Sequence, residues 1–573
     1  MTSKLKKILV LGVVAVGLFP AMTAFGASNP VHYLKAGLSE EPKTLNIWLA
    51  SDRWSLSVLS QIYQGLITRH PETLELTPWL AEDLPVYDPE TLSYTVTLRD
   101  AKWSDGSPLT AHDVAFTANL IKEFKIPRHF DRWSFVNAIE VLDPKTVRFV
   151  LEAPMAIFLS RTLATPIVSK KEWEPVAQNA RNAEKPLTAL MNHGIKTPVG
   201  NGPFSVKEWK EGAYLFMTRN PHFFGSGQKI GGRVLGPFID GIIFKFYGTS
   251  DAAILSLKKG DIDMFWWSVQ AGYMEDLQKD PKITLFKNER SAMYYMGFNL
   301  RNPPFDDAVL RRAVAILIDK DFIITRILQG DGARMDSVVP AGNKFYYCPP
   351  DTVWGEGLSR EERVKAAYRL LKDAGYSWKT PPVNDAGAVV KCGHIRLPDG
   401  TPMEGFTILT PPADYDPLRA MSGTIIQEWL RDFGMPASAK PMAFGSLIDQ
   451  VKVRREFDAF ILAYGKLSLD PDWIRSFFHS RHDKVRGLNM SGYHNPEFDR
   501  ISDESATVMD ENQRRERVCR MQKILMRDLP YIPLYTPKMI EAVRNDRFSG
   551  WVNTLEGIGN PWSFCVLKPE APD

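Results

Sequence analysis

The strongest local constraint on folding lies between Ser93 and Val114, where strand, turn and helix signals follow one another without a gap. Tyr94, Val96 and Leu98 alternate with Thr95, Thr97 and Arg99, the period of a strand with one buried face. Asp105-Gly106 then supplies a residue pair that tolerates positive φ in a tight turn. Thr110 stands as an N-cap with Asp113 three residues on, which starts a helix expected over 111–124. A chain built from such units is a mixed α/β protein, and these residues read as scaffold rather than as a ligand contact.

The remainder supports that class. Ser359 and Glu362 form a capping box for a helix carrying Val364, Tyr368 and Leu371, stopped at Gly375. Pro417 opens another helix, with Leu418, Met421, Ile425 and Trp429 as its expected inner face and Gly434 as its end. Val518, Met521 and Leu525 mark the stripe of a helix over about 511–528, and strand alternation recurs at Val147, Phe149 and Leu151. With 573 residues there is room for several domains, and no internal repeat or low-complexity tract interrupts them.

The amino terminus reads as an address. Lys4, Lys6 and Lys7 precede an apolar run from Ile8 to Phe19 and then Ala24-Phe25-Gly26, the pattern of a cleaved secretory signal over 1–26. The run falls short of the ~20 residues that a spanning helix needs. No cysteine follows it, so a lipid anchor is not indicated. The three leader lysines account for the whole formal charge of +3. A neutral mature chain makes no electrostatic case for nucleic acid or membrane surfaces. Export permits disulfides, and of the four cysteines the loop residues Cys348 and Cys392 are the expected pair, leaving Cys519 and Cys565 as buried thiols. No C-x-x-C is present.

Catalytic signatures are missing: there is no G-x-S-x-G, H-E-x-x-H, P-loop or G-x-G-x-x-G. Asp261/Asp263 reads as a turn and strand start, and Asp470-Pro471-Asp472 as a helix cap. His479-Ser480-Arg481-His482, with His494 further on, has no nearby Cys or Glu partner and makes a poor metal site. Neither a metal nor a cofactor is expected.

Several phrases occur in a fixed order: Tyr63-Gln64-Gly65-Leu66, Pro78-Trp79-Leu80-Ala81-Glu82 and Trp103-Ser104-Asp105-Gly106 through Val114. Pro198-Val199-Gly200-Asn201-Gly202-Pro203-Phe204 follows, then Asn220-Pro221-His222-Phe223-Phe224, Lys259-Gly260-Asp261-Ile262-Asp263, and Pro304-Phe305-Asp306-Asp307 leading to Ile318-Asp319-Lys320. The ordered set resembles the extracytoplasmic solute-binding proteins of family 5, the peptide/nickel/opine group serving ATP-driven importers. The resemblance implies a two-lobed, class II periplasmic-binding-protein-like α/β fold with an extra domain inserted in the first lobe. It places lobe I at 27–66, 198–290 and 537–573, the inserted domain at 67–197 and lobe II at 291–536. It further implies a monomeric periplasmic receptor, not an enzyme, which works with membrane permease subunits.

The ligand candidates come from aromatic residues and from one departure from the family pattern. Adjacent Trp266 and Trp267 point to opposite faces of a strand, so one of them meets ligand, solvent or another domain. Asn46, Trp48 and Trp54 lie in a segment that in this family runs near the cleft, and Tyr295 belongs to a second aromatic pair. Peptide-binding members place a Gly-Trp-x-x-Asp phrase before an Asp-Pro, the acid holding the α-ammonium of the ligand. Aligned on Asp470-Pro471, Tyr464 takes the tryptophan's place and Leu467 the acid's, so Tyr464 and Asp470 complete the candidate set. The expected solute is peptide-like. An oligosaccharide stacked on aromatics is the alternative in the same mechanical class, and a secreted hydrolase the remote one.

Overall fold

The computed structural model describes residues 31–570. The expected signal segment 1–26 lies outside the described residues. Two large open sheets organise the chain. The first has seven strands in the order Ile283–Asn288, Met539–Arg544, Met264–Phe265, Tyr33–Leu38, Gly241–Phe246, Tyr214–Arg219 and Phe204–Lys210. The second has six, in the order Gly332–Arg334, Tyr531–Pro537, Met293–Phe298, Ala459–Tyr464, Phe406–Thr410 and Ala437–Pro441. These sheets are the frames of two lobes. A separate four-stranded antiparallel sheet, drawn from Tyr87–Asp88, Ser93–Thr97, Thr146–Leu151 and Val136–Asp143, shares its apolar core with the first lobe.

The lobes are joined by two crossovers that lie side by side. Strand Ile283–Asn288 leaves the seven-stranded sheet, and after four connecting residues, 289–292, the chain enters the six-stranded sheet at Met293. On the return, Tyr531–Pro537 passes to Met539–Arg544 through Lys538 alone. Asn288 pairs with Met539 on one side of the crossing and Tyr294 with Tyr535 on the other. Two adjacent extended segments of this kind can absorb a φ/ψ change without disturbing either sheet, which is the geometry of a hinge.

Local sequence rules account for the elements that rest on them. Tyr94, Val96 and Leu98 are buried, Gly106 takes φ 82°, and Asp113 Oδ2 accepts from the Thr110 backbone N–H at 2.8 Å to start helix Ala111–Phe124. The Ser359–Glu362 capping box opens helix Arg360–Asp373, and Gly375 follows it at φ 90°. Val518, Met521 and Leu525 are all buried on helix Glu511–Asp528.

Helix Pro417–Asp432 buries Trp429 of its expected face and packs Leu418 and Ile425 partly buried against the core, but Met421 is 48 % exposed and Arg419, Ser422, Gly423, Ile426 and Leu430 complete the buried side. Small residues decide this: a Cβ at Gly423 would come within 2.5 Å of Thr410 Cγ2, so the helix approaches the sheet there more closely than a leucine face would permit.

The disulfide expectation is corrected. Cys348 bonds Cys519, with Cα atoms 5.2 Å apart, while Cys392 and Cys565 are free. Cys519 turns away from the apolar stripe of its helix toward the loop that carries Cys348. Gln522, one turn on, holds the same loop by accepting from Cys348 N (3.2 Å) and donating to Tyr346 O (2.8 Å). Asp263 is structural, accepting from Lys35 N and pairing with Arg547, each at 2.8 Å. His479 lies between Asp499 and Asp503 at 3.3 Å from each.

Candidate functional site

The lobes approach one another through loops and helix ends. On the first-lobe side are the start of helix Arg53–Ile62, Trp267 and the loop carrying Glu556. On the second-lobe side is the segment after strand Ala459–Tyr464, from Gly465 to Asp472. The lobes touch through several polar contacts: Ser160 Oγ donates to Asp470, Arg161 faces Asp472 at 3.7 Å, Arg69 faces Glu511 at 3.7 Å, and Ala156 N donates to Ala506 O at 2.8 Å. Beside the Ser160–Asp470 contact lies a cavity of about 490 Å³, bordered by Tyr63, Arg69, Trp79 and Trp562 from one side and by Ser468 and Asp470 from the other. Trp79 and Trp562 meet at 4.9 Å between ring centroids and form its aromatic wall.

The structure divides the sequence candidates into two groups. Trp54 and Trp267 meet at 5.3 Å between ring centroids, with Trp267 only partly buried and the Arg53 guanidinium 4.4 Å above its ring. Trp54 is buried, and the two rings with Arg53 form one cluster on the first lobe. The others are committed inside a lobe. Asn46 is fully buried and donates to the carbonyls of Leu190, Met191 and His193 at 2.9–3.1 Å, so it pins a chain crossing rather than a ligand. Trp48 packs edge-on against Trp173 and His129. Trp266 is buried against Phe244 and Phe564, and a Cβ at Gly559 would fall 1.8 Å from its Nε1. The pair lies just past strand Met264–Phe265, so strand alternation does not govern it: Trp266 is buried, and the half-buried Trp267 also packs against apolar core residues of the first lobe.

Tyr295 and Tyr464 also serve packing. Tyr464 stacks on Phe477 at 4.3 Å and on Tyr295 at 5.5 Å, and Tyr295 stacks on Tyr531 at 4.3 Å. Both faces of the Tyr464 ring are covered. Asp470 is buried and its carboxylate is taken: Arg514 grips it with both terminal nitrogens at 2.5 and 2.7 Å, Ser160 donates to it, and Oδ1 accepts from Asp472 N. The Arg514 charge outweighs the cost of burial and holds this carboxyl well below the usual range. No oxygen of Asp470 is left for a ligand ammonium, and Leu467 at the aligned acid position is buried and apolar.

Sequence reasoning missed the charged residues around this space. Arg290 lies in the first hinge crossover, where its Nη2 donates to Gly465 O at 3.0 Å and its Nε sits 3.8 Å from Glu556. Glu556 in turn accepts from Ser291 N at 2.6 Å. Arg128 donates to Ala50 O at 2.9 Å. Lys466 stays exposed, yet desolvation lowers its ammonium; Glu556 opposes this, and Arg53, Arg290 and Arg128 reinforce it. Burial pushes the fully buried Glu541 up to about 7 against the pull of donors Ile558 N and Gly559 N, so its charge is only partly present at neutral pH. Arg53 and Lys466 occur in segments already singled out for aromatic or acidic partners, but a lone basic residue in sequence reads as a solvated one.

Comparison with known proteins is consistent across the chain. The sequence model of the bacterial extracellular solute-binding proteins, family 5, matches residues 75–484. The oligopeptide-binding protein AppA of Bacillus subtilis (strain 168) is 27 % identical over 511 residues, covering 88 % of this chain and 86 % of AppA. The solved structure of AppA in complex with a nonapeptide superposes with a TM-score of 0.65 at 24 % identity, over 95 % of this chain and 100 % of that one. HbpA2 of Haemophilus parasuis superposes with a TM-score of 0.74 at 21 % identity, over 94 % and 100 %. Among the described residues no helix is long and apolar enough to cross a membrane.

Proposed function

We propose that this chain, which belongs to the bacterial extracellular solute-binding proteins of family 5, is the solute receptor of an ATP-driven importer that captures a peptide-like solute between its lobes. The observation that carries the reading is the paired crossover. Two sheets of independent core are joined only by adjacent extended segments at 289–292 and Lys538, with the aromatic and charged walls of the cleft on either side. A solute that touches both walls binds the closed arrangement better than the open one, and by that difference it shifts the population toward closure. The closed form then presents a surface that membrane permease subunits can recognise. On this reading the protein turns over no substrate, acts outside the cytoplasm, and divides at the two crossovers into lobes at 27–66, 198–290 and 537–573 against 291–536, with 67–197 as the inserted domain.

Support for a peptide-like solute comes from the oligopeptide binder AppA, which matches along most of both chains. The Trp54–Trp267 cluster suits apolar side chains. The test is a titration of intrinsic fluorescence with a mixed tripeptide library. We expect saturable binding that Trp267→Ala weakens about three- to tenfold, the range for one aromatic contact, and that Trp267→Phe largely restores. Unchanged affinity in Trp267→Ala and Trp54→Ala alike would remove this wall from the site.

A further inference from the structure

The cleft gathers more positive charge than its own carboxylates answer. Four cations from four separate segments converge there. Arg53 opens helix Arg53–Ile62, Arg128 reaches the Ala50 carbonyl just before it, Arg290 sits in the hinge and bonds the Gly465 carbonyl, and Lys466 follows that glycine. Against them stand Glu556, which also serves Ser291 N, and Glu541, which is buried behind the Ile558 and Gly559 amides and held near neutrality. Folding has brought like charges together at some cost in repulsion.

Arg128 and Arg290 each spend one donor on a backbone carbonyl, and part of the group's hydrogen-bonding capacity is left over. Arg53 has no hydrogen bond or ion pair among the described residues, and its buried Nε is unpartnered. The Trp267 face lies beneath it, holds the planar guanidinium in place and leaves its N–H edge free to donate. The Arg290 Nε and the Glu556 Oε2 are likewise buried and without a hydrogen bond. Guanidinium groups held in this way match carboxylates in paired geometry. Lys466 supplies a mobile point charge from the opposite lobe.

From these residues we infer that the cleft selects solutes bearing at least two carboxylates, one received by Arg53 on Trp267 and another by Lys466 with Arg290. The inference rests on the receptor reading above and narrows it to acidic peptide-like solutes. It also gives closure a driving force. Cations on the two lobes repel until a polyanion lies between them, so an acidic solute favours the closed arrangement where a neutral one of the same length gains only apolar contact.

Calorimetry on the full mature protein with Ala-Ala-Ala, Glu-Ala-Glu and Lys-Ala-Lys, and with glutarate against glutaramide, tests this at 50 and 500 mM NaCl. We expect Glu-Ala-Glu to bind at least about tenfold tighter than Ala-Ala-Ala. The advantage should shrink at high salt and be lost in Lys466→Met and Arg53→Met, whose unchanged unfolding midpoints would show that the fold is intact. Equal or tighter binding of Ala-Ala-Ala or Lys-Ala-Lys overturns the acidic class and leaves the peptide receptor standing. Binding of glutarate over glutaramide with no peptide bound upholds the anion site and removes the peptide reading. No preference for the charged member of either pair overturns the inference.

Discussion

Replacing Asp470 with alanine lowers the stability of the second lobe by about 3–5 kcal/mol, the range for breaking a buried ion pair from one side. Both partners are almost wholly enclosed, and the loss leaves Arg514 charged in the interior, hydrogen-bonded to the Tyr346 hydroxyl and with Asp472 as the next carboxylate. The cost is therefore that of an unanswered charge more than of a lost attraction. Asp470→Leu combined with Arg514→Met removes both charges and should recover much of the stability. The sign with pH follows from the depressed carboxyl: its stabilisation is complete above the ordinary aspartate range and is lost as pH falls through the lower folded value. Urea unfolding at pH 7 followed by circular dichroism measures all three variants. A midpoint for Asp470→Ala equal to that of the parent would show that Asp470 is free, and would return it to the list of ligand anchors.

Reducing the Cys348–Cys519 bond is the second large perturbation. The bond closes a sequence separation of 171 residues. Chain-entropy reasoning assigns a loop of that size about 5 kcal/mol, and measured effects commonly reach ~2–4. The bond also ties the hinge-proximal loop carrying Tyr346 to helix Glu511–Asp528, whose Arg514 holds Asp470. We expect dithiothreitol to lower the urea midpoint of the parent by the equivalent of ~2–4 kcal/mol, with no further effect on Cys348→Ser. Cys392→Ser should keep the full sensitivity to reductant. If Cys392→Ser instead abolishes it, the pairing first expected from loop position is the correct one.

The two cases show what sequence can and cannot specify. The strand, turn and helix from Ser93 to Phe124 follow from rules spanning three or four residues, and each was legible. Cys519 was not, because a cysteine in a helical pattern carries no mark of whether it faces core or loop. The face of helix Pro417–Asp432 was legible at Leu418, Ile425 and Trp429 but not at Ser422 and Gly423, which do not register as apolar although close packing needs them. The charged wall was the least legible part. Arg53, Arg128, Arg290 and Lys466 are scattered along the chain, and only the two crossovers bring them to one space. Asn46, Trp48, Tyr295 and Tyr464 illustrate the converse: aromatic or polar residues near a cleft in sequence can be spent on pinning and stacking within one lobe.

The receptor reading meets its most direct test in the small molecules that copurify with the protein. Protein purified without unfolding is denatured in acid, the released small molecules are separated by filtration, and mass spectrometry identifies them. The account predicts amide-linked, peptide-like compounds at a stoichiometry approaching one per chain. A released oligosaccharide, or a compound with no amide linkage at that stoichiometry, would contradict it.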